Sequence, residues 1–228
     1  MQTSLDSFER RVLGSLLEKS MAQPDYYPMT EKAIVAACNQ KQNRDPVMDL
    51  DEDVVWETLE SLREKGLVTM LLPGAGARSK KFKHEVEQHY GWQKRERAVM
   101  TELLLRGPQT VGELRSRCSR FVPFDDIAAV TIVLDCLASA ETPMLKALPR
   151  EPGRSAIRHA HLLYTDDDED APTVSGEGAS EPVALATPRP QPAAQPPKDE
   201  TVEQLQKEVD DLRARVETLE SQFNQLMS

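Results

Sequence analysis

Cysteine is scarce. The 228 residues hold three, Cys38, Cys118 and Cys136, with no CxxC pair and no Cys/His spacing that suits a metal. An odd, unframed set excludes a disulfide scaffold and points to reduced thiols, as in the cytoplasm. Cys38 and Cys118, beside small or apolar neighbours, are expected to pack as small buried hydrophobes. Long apolar runs are missing as well: none approaches the ~20 residues of a membrane helix. The first residues, Met1-Gln-Thr-Ser-Leu-Asp6, lack the basic-then-apolar pattern of a signal peptide. A Gly-rich phosphate cradle is absent, and no grouping of His, Ser, Cys or carboxylates sets up catalysis. Neither an enzyme nor a cofactor is expected. His159 and His161, two apart on one strand, are read as an exposed polar face, because no further ligand lies at a fitting distance. A basic excess is the last thing lacking. The net charge is −10, yet residues 1–164 balance 23 Lys+Arg against 23 Asp+Glu, and residues 165–228, with 5 against 15, carry the whole deficit. The usual basic signature of a nucleic-acid binder is therefore missing from the chain as a whole, and only local patches remain.

What is present is a repeat. Residues 5–86 and 92–164 follow one plan with different residues. Each opens with an apolar-striped helical stretch: Leu5, Phe8, Val12, Leu16 and Leu17 in one copy, Val99, Met100, Leu103 and Leu104 in the other. Gly107-Pro108 stops the second of these. Another helix starts at Thr30 or Thr110, each followed eight residues later by Cys38 or Cys118. Thr110 and Glu113 form a capping box, whereas Thr30 faces Ala33 and keeps half of one. A third helix runs over 51–65, with Val55, Leu59 and Leu62 inward and Gly66 as its stop. Its counterpart runs over 125–138, with Ile127, Val130, Leu134 and Leu137 inward. Two β-hairpins follow, strands 67–72 with 81–86 and 144–148 with 157–163, each closed by a Gly-containing loop. The order helix–helix–helix–strand–loop–strand is that of a winged helix. The expected fold is mainly α with small β-hairpins (α+β): winged-helix domains at 1–90 and 91–164, each with a core marginal on its own, packed against one another.

The remainder changes character. Residues 165–200 combine an acidic run with seven prolines, a composition that cannot bury enough surface to order itself, and are read as a disordered linker. Residues 201–228 return to pattern. Val202, Val209, Val216 and Phe223 fall at one heptad position and Leu205, Leu212, Leu219 and Leu226 at the other. Val at a with Leu at d suits a parallel two-stranded coiled coil, so a homodimer is expected through these eight residues.

A winged helix that reads DNA places its third helix in the major groove. Here that helix is acidic in one copy and has no basic residue in the other, which opposes phosphate contact. The cations lie in the hairpins and around the end of the second helix. Candidate contacts to nucleic acid are Lys41, Arg44, Arg78, Lys80, Lys81, Lys83, Arg115, Arg117, Arg154 and Arg158, as backbone-positioning contacts. The same residues also suit the charged edge of an ordinary hairpin. The amide-rich loop 39–46 is read as turn chemistry, with Asn39 as a left-handed helix stop.

Longer motifs then carry a resemblance. Arg11-Val-Leu-Gly-Ser-Leu-Leu-Glu-Lys19, Tyr27-Pro28, Ala37-Cys-Asn-Gln-Lys41, Asn43-Arg-Asp-Pro-Val-Met48, Gly112-Glu-Leu-Arg-Ser-Arg117 and Arg150-Glu-Pro-Gly-Arg154 are similar to the YceH-like family of bacterial proteins. The resemblance spans roughly residues 5–163. It implies tandem winged helices in a cytoplasmic protein and supplies no activity or site residues. Two functions follow. One is a dimeric DNA-associated regulator, its partner double-stranded DNA held through wings and helix-two loops. The other is a protein–protein adaptor that resembles in plan the acidic tandem winged-helix subunit of bacterial chromosome-condensation complexes, an analogy of fold alone. The winged-helix precedent tips the sequence reading towards DNA.

Overall fold

The first helix, α1 (Ser7–Ala22), begins where the sequence supplies a cap. Asp6 accepts the backbone N–H groups of Phe8 and Glu9, both at 2.8 Å, and Glu9 returns a contact to Asp6 N at 2.9 Å. This is a full capping box, which satisfies donors that a helix start leaves orphaned. Its apolar stripe is buried at Val12, Leu16 and Leu17, but Phe8 is 42% exposed, against expectation. Phe8 sits in the first turn, on the side away from the core.

The computed structural model describes residues 3–73, 79–150, 156–165, 168 and 171. The heptad segment Val202 to Leu226 and all of the expected linker but Thr165, Asp168 and Ala171 lie outside the described residues, and Asp168 pairs with Arg10 of α1. All described residues belong to one compact unit within residues 1–177. The architecture is mixed α+β, with seven α-helices and two small antiparallel sheets among the described residues.

The first repeat continues with β1 (Met29–Thr30), α2 (Glu31–Cys38), α3 (Glu52–Glu64), β2 (Val68–Leu71) and β3 (Lys81–His84). A short helix, α4 (Val86–Tyr90), leads out of it and ends at Gly91, whose φ of 72° favours a residue without Cβ. The second repeat is α5 (Lys94–Arg106), β4 (Gln109–Thr110), α6 (Val111–Cys118), α7 (Ile127–Ser139), β5 (Leu145–Ala147) and β6 (Arg158–His161). The strand orders are β1-β3-β2 and β4-β6-β5, so both sheets share one topology. The hairpins were expected; the third strands, each of two residues, were not. Thr30 and Thr110 end those strands and cap the helices that follow. Thr110 carries the full box with Glu113 and Thr30 only its own contact to Ala33 N.

Several details depart from the sequence reading. The second strand of the first hairpin stops at His84, not at 86. Its N–H donates to the Tyr27 hydroxyl at 2.5 Å, and Glu85 N donates to Leu67 O, which turns the chain into α4. Ile127 is 54% exposed, since it is the first residue of α7 and precedes the buried positions Val130, Leu134 and Leu137. Asn39 is not left-handed: its φ is −89°. Its side chain instead binds Leu50 N and O at 2.8 and 2.7 Å, while Asn43, at φ 61°, holds the left-handed turn.

The two repeats share one core that runs from Leu5 to Leu163. Helix α1 is covered on two sides, by α2 and α3 of its own repeat and by α5 of the other. Gly14 permits that approach. A Cβ there would lie 2.8 Å from Leu105 Cδ2 and 2.9 Å from its Cγ. Leu5 N also donates to Leu163 O at 2.8 Å, so the start of one repeat is hydrogen-bonded to the end of the other. Because α1 is covered twice, its polar residues are buried as well. Glu18 accepts from Arg44 at 2.6 Å, and Arg120 of the second repeat lies 3.0 Å from Glu18 and 2.5 Å from Glu102. Burial pushes the Glu18 carboxyl up, but Arg44, Lys19 and Arg120 outweigh it and hold it below the usual carboxylate range.

Candidate functional site

The ten candidate cations divide sharply. Arg78 and Arg154 lie outside the described residues. Lys41 and Lys81 are exposed, and Lys80 is exposed with its ammonium 4.7 Å from the Trp56 ring centroid, a cation–π contact. Lys83 pairs with Glu85 at 2.8 Å. Arg44 is the plain exception to the sequence reading. Its side chain is fully buried, bound to Glu18 and to the Ala37 carbonyl at 2.8 and 3.1 Å, so it is a structural residue. The second repeat turns its arginines to similar use. Arg115 donates to the carbonyls of Phe124 and Asp125, Arg117 to Gln109 and Glu113, and Arg158 to the Pro108 carbonyl at 3.1 and 2.5 Å. The exposed candidates are thus Lys41 in the loop after α2, Lys80 and Lys81 on the first hairpin, and Arg115 on α6, which is tied to the backbone of residues 124 and 125.

The third helices, α3 and α7, show solvent different kinds of residue. Asp51 and Asp126 cap α3 and α7, accepting from Val54 N and Ala129 N at 2.8 and 2.7 Å, where they also complement the helix dipole. Beyond the cap, α3 exposes Glu52, Asp53, Glu57 and Glu64. Its basic residues are engaged: Arg63 with Glu60 at 2.5 Å, Lys65 with Glu9 at 2.6 Å and with the Ser4 carbonyl. Helix α7 exposes Ile127, Ala128, Thr131, Ile132, Asp135 and Cys136, a stripe at helical spacing with one charge. Ile132 is 62% exposed. A carboxylate face repels phosphate, and an aliphatic face offers it no donor. An exposed apolar stripe instead suits another protein's apolar surface.

The histidines of the second hairpin do not form the open face that was expected. His161 is buried, its Nδ1 accepting from Leu163 N at 3.2 Å, its ring stacked on Tyr164 at 3.9 Å. Burial, with Arg10 nearby, pushes its protonation down to about 3, so it is neutral. His84 occupies the matching last position of β3 and is likewise held neutral by burial, at about 4. No cluster of three or more His, Cys, Asp or Glu able to hold a metal occurs among the described residues, and no described helix is long and apolar enough to cross a membrane.

Sequence spacing missed one further feature. A cleft of about 200 Å³ opens where the repeats meet, lined by Arg10 and Arg11 of α1, Arg106 of α5, Arg158 of β6 and Asp45. Arg10 donates to Leu5 O at 2.8 Å and pairs with Asp168; Arg11 donates to the carbonyls of Cys38 and Pro46; Arg106 donates to Asn43 Oδ1. The available signal was Arg10-Arg11 on a helix whose other positions are mostly apolar.

Residues 5–154 match a family described as protein of unknown function, DUF480. The chain is similar to a UPF0502 protein of Geobacter metallireducens, 48% identical over 182 residues, which is 80% of each chain. It is also similar to a UPF0502 protein of Azoarcus sp. strain BH72, 43% identical over 220 residues, which is 96% of this chain and 94% of the relative. A UPF0502 protein of Geobacter sulfurreducens is 44% identical over 181 residues, covering 78% of this chain and 82% of the relative.

Proposed function

The chain belongs to the DUF480 family of bacterial proteins of unknown function, and from that premise we propose that it is a protein–protein adaptor built on two tandem winged helices. The observation that carries this reading is the apolar stripe of α7. It occupies the slot that a DNA-reading winged helix fills with donors, and it is exposed at Ile127 and Ile132. The acidic face of α3 adds selectivity, favouring a partner with basic surface. In this reading the protein works in the cytoplasm, where Cys38 and Cys118 stay reduced, and performs no chemistry of its own. Two copies associate through the heptad segment from Val202 to Leu226.

The test is capture of partners by the tagged full chain from its own lysate, with nuclease present. A partner that is retained by the wild type and lost from Ile132→Glu supports the adaptor. Loss of every partner on nuclease treatment would contradict it. The second reading, a DNA-associated regulator, rests on Lys41, Lys80 and Lys81, which remain at the surface. It expects binding that weakens steeply with salt, with a slope made shallower by substituting Lys80 and Lys81 with Ala. Sedimentation of the full chain against a truncation at Pro197 tests the dimer; equal masses would remove it.

A further inference from the structure

The first sheet ends on an open edge. Its strand order is β1-β3-β2, so β2 has a neighbour strand on one side only. The register fixes which main-chain groups face outward. Glu85 N donates to Leu67 O at the start of the ladder, so the hydrogen-bonded pairs continue at Thr69 with Lys83 and Leu71 with Lys81. Val68 and Met70 belong to the alternate pairs, whose N–H and C=O groups point away from the partner strand. The same rule sends the His84 N–H of β3 away from β2, where it meets the Tyr27 hydroxyl. Val68 is buried, so the accessible edge begins at the half-buried Met70 and continues to Leu71 and Leu72, 37% and 75% exposed. Among the described residues no main-chain partner takes the outward groups of Met70.

The two faces of this edge carry opposite charge. A groove of about 500 Å³ lies between Val68, Thr69 and Met70 and the end of α3 at Glu60, Arg63 and Glu64. Arg63 is already paired with Glu60. Asp53, Glu57, Glu60 and Glu64 recur every three or four residues, so they form one carboxylate row along α3. Side chains alternate across a sheet. Met70 and its neighbour Phe82 turn to the core, on the side of α3, whose Trp56 meets Phe82 edge-on. Leu71 turns to the opposite face, where Lys81 and Lys83 stand on β3. A strand added beside β2 would thus meet carboxylates on one face, and a leucine backed by lysines on the other. The second repeat lacks this arrangement. Counted from the caps Asp51 and Asp126, Glu57, Glu60 and Glu64 correspond to Ile132, Asp135 and Ser139, which hold one carboxylate.

We propose that the open edge of β2 binds an extended basic peptide segment of a partner protein as an added strand. Its Lys or Arg side chains lie on the α3 side, facing Glu60 and Glu64, and its alternate apolar side chains lie beside Leu71. Main-chain pairing supplies the attachment, and the alternation of cation and apolar residue supplies the selectivity. A second copy of this chain suits the edge poorly, because β2 paired on β2 offers no cation and brings two carboxylate rows together. The site uses no residue of α7 and stands even if the α7 reading fails.

The probe is the peptide acetyl-Thr-Lys-Val-Lys-Val-Lys-Thr-amide, titrated into the isotopically labelled full chain and followed by amide shifts and hydrogen exchange. The expected result is saturable shifts at Thr69, Met70 and Leu71 with slowed exchange of the Met70 amide, while Ile132 and Leu145 stay unmoved. The same peptide with Glu in place of each Lys is expected to bind at least tenfold more weakly. Glu60→Gln combined with Glu64→Gln is expected to weaken the Lys peptide at least threefold. Two further peptides, N-methylated at the valines or at the lysines, test the main-chain pairing on the wild type. Either orientation of pairing turns only one of these sets of N–H groups to β2, so one methylated peptide is expected to lose binding and the other to keep it. Equal affinities for the two overturn the added strand, and so does absence of saturable shifts at millimolar Lys peptide. Shifts spread along α3 without slowing of Met70 overturn it as plain charge attraction. Slowing of Met70 that rises with protein concentration and without peptide assigns the edge to a second copy and overturns it too.

Discussion

In the first repeat the third helix shows solvent a row of carboxylates; in the second the same slot shows isoleucine, alanine and threonine. Beneath those faces the repeats agree. Cys38 and Cys118 are both buried at the ends of their second helices, His84 and His161 both end the middle strand and are buried neutral, and Thr30 and Thr110 both cap. What the fold needs has been kept in both copies, and what the surroundings touch has diverged. The shared architecture accordingly argues for fold, and the divergent faces argue for function. Neither face resembles what a DNA groove selects.

The comparison is broken or sharpened by substitution. The largest effect is expected at the loop arginine. Arg44→Ala leaves Glu18 buried with only Lys19 and Arg120 near its carboxylate and is expected to cost about 3 kcal/mol in urea unfolding. Arg115→Ala, at the end of the second helix in the other repeat, is exposed and is expected to cost less than ~1 kcal/mol. Equal costs would erase the distinction between a structural and a surface cation. Next comes Gly14→Leu, where the added side chain meets Leu105 and is expected to cost about 1–3 kcal/mol by overpacking the contact between repeats.

The pH dependence should be common to both repeats. The unfolded histidines protonate near 6.5, but burial holds His84 and His161 neutral to about 4 and about 3. Below 6.5 the unfolded chain therefore takes up protons that the folded one refuses. Stability falls as pH drops through this window, by up to ~1.4 kcal/mol per pH unit for each histidine, and is fully present above it. The depressed carboxyl of Glu18 acts in the same direction at lower pH. Unfolding followed from pH 7 to 4 should show this slope, reduced in His84→Gln and again in His161→Gln. A flat profile would mean that the histidines are not held neutral. The smallest effect concerns the caps. Ala33→Glu is expected to install the box that Thr30 lacks and to gain a few tenths of a kcal/mol, while Glu113→Ala removes the box of Thr110 and loses a similar amount. No gain from Ala33→Glu would show that the two threonines cap equivalently without it.

Much of the fold was legible because helices announce themselves. The stripes of α3, α5 and α7, the cap at Thr110, and the stops at Gly66 and Gly107 follow from a period of 3.6 and from backbone rules that need no tertiary context. The two-residue strands β1 and β4 were not legible, since two residues have no period. Arg44 was misplaced because a loop residue carries no periodic sign of burial, and its partner Glu18 was hidden for a related reason. Helix α1 is covered on two faces, so its polar positions are interior and pair with arginines far away in sequence. Ile127 and Phe8 show the converse: an apolar residue is free to sit in water. The cleft depended on four arginines from three separate elements, a convergence that only the packing of one repeat on the other creates.

The central claim, that the second repeat meets a protein through α7, rests most directly on one measurement. Partner capture with nuclease present is compared for the wild type, Ile132→Glu and the Lys80→Ala/Lys81→Ala pair, all checked for folding. The account predicts that the captured partner survives nuclease, survives the lysine substitutions and is lost with Ile132→Glu. A partner indifferent to Ile132→Glu but released by nuclease or by the lysine substitutions would contradict it and return the protein to DNA.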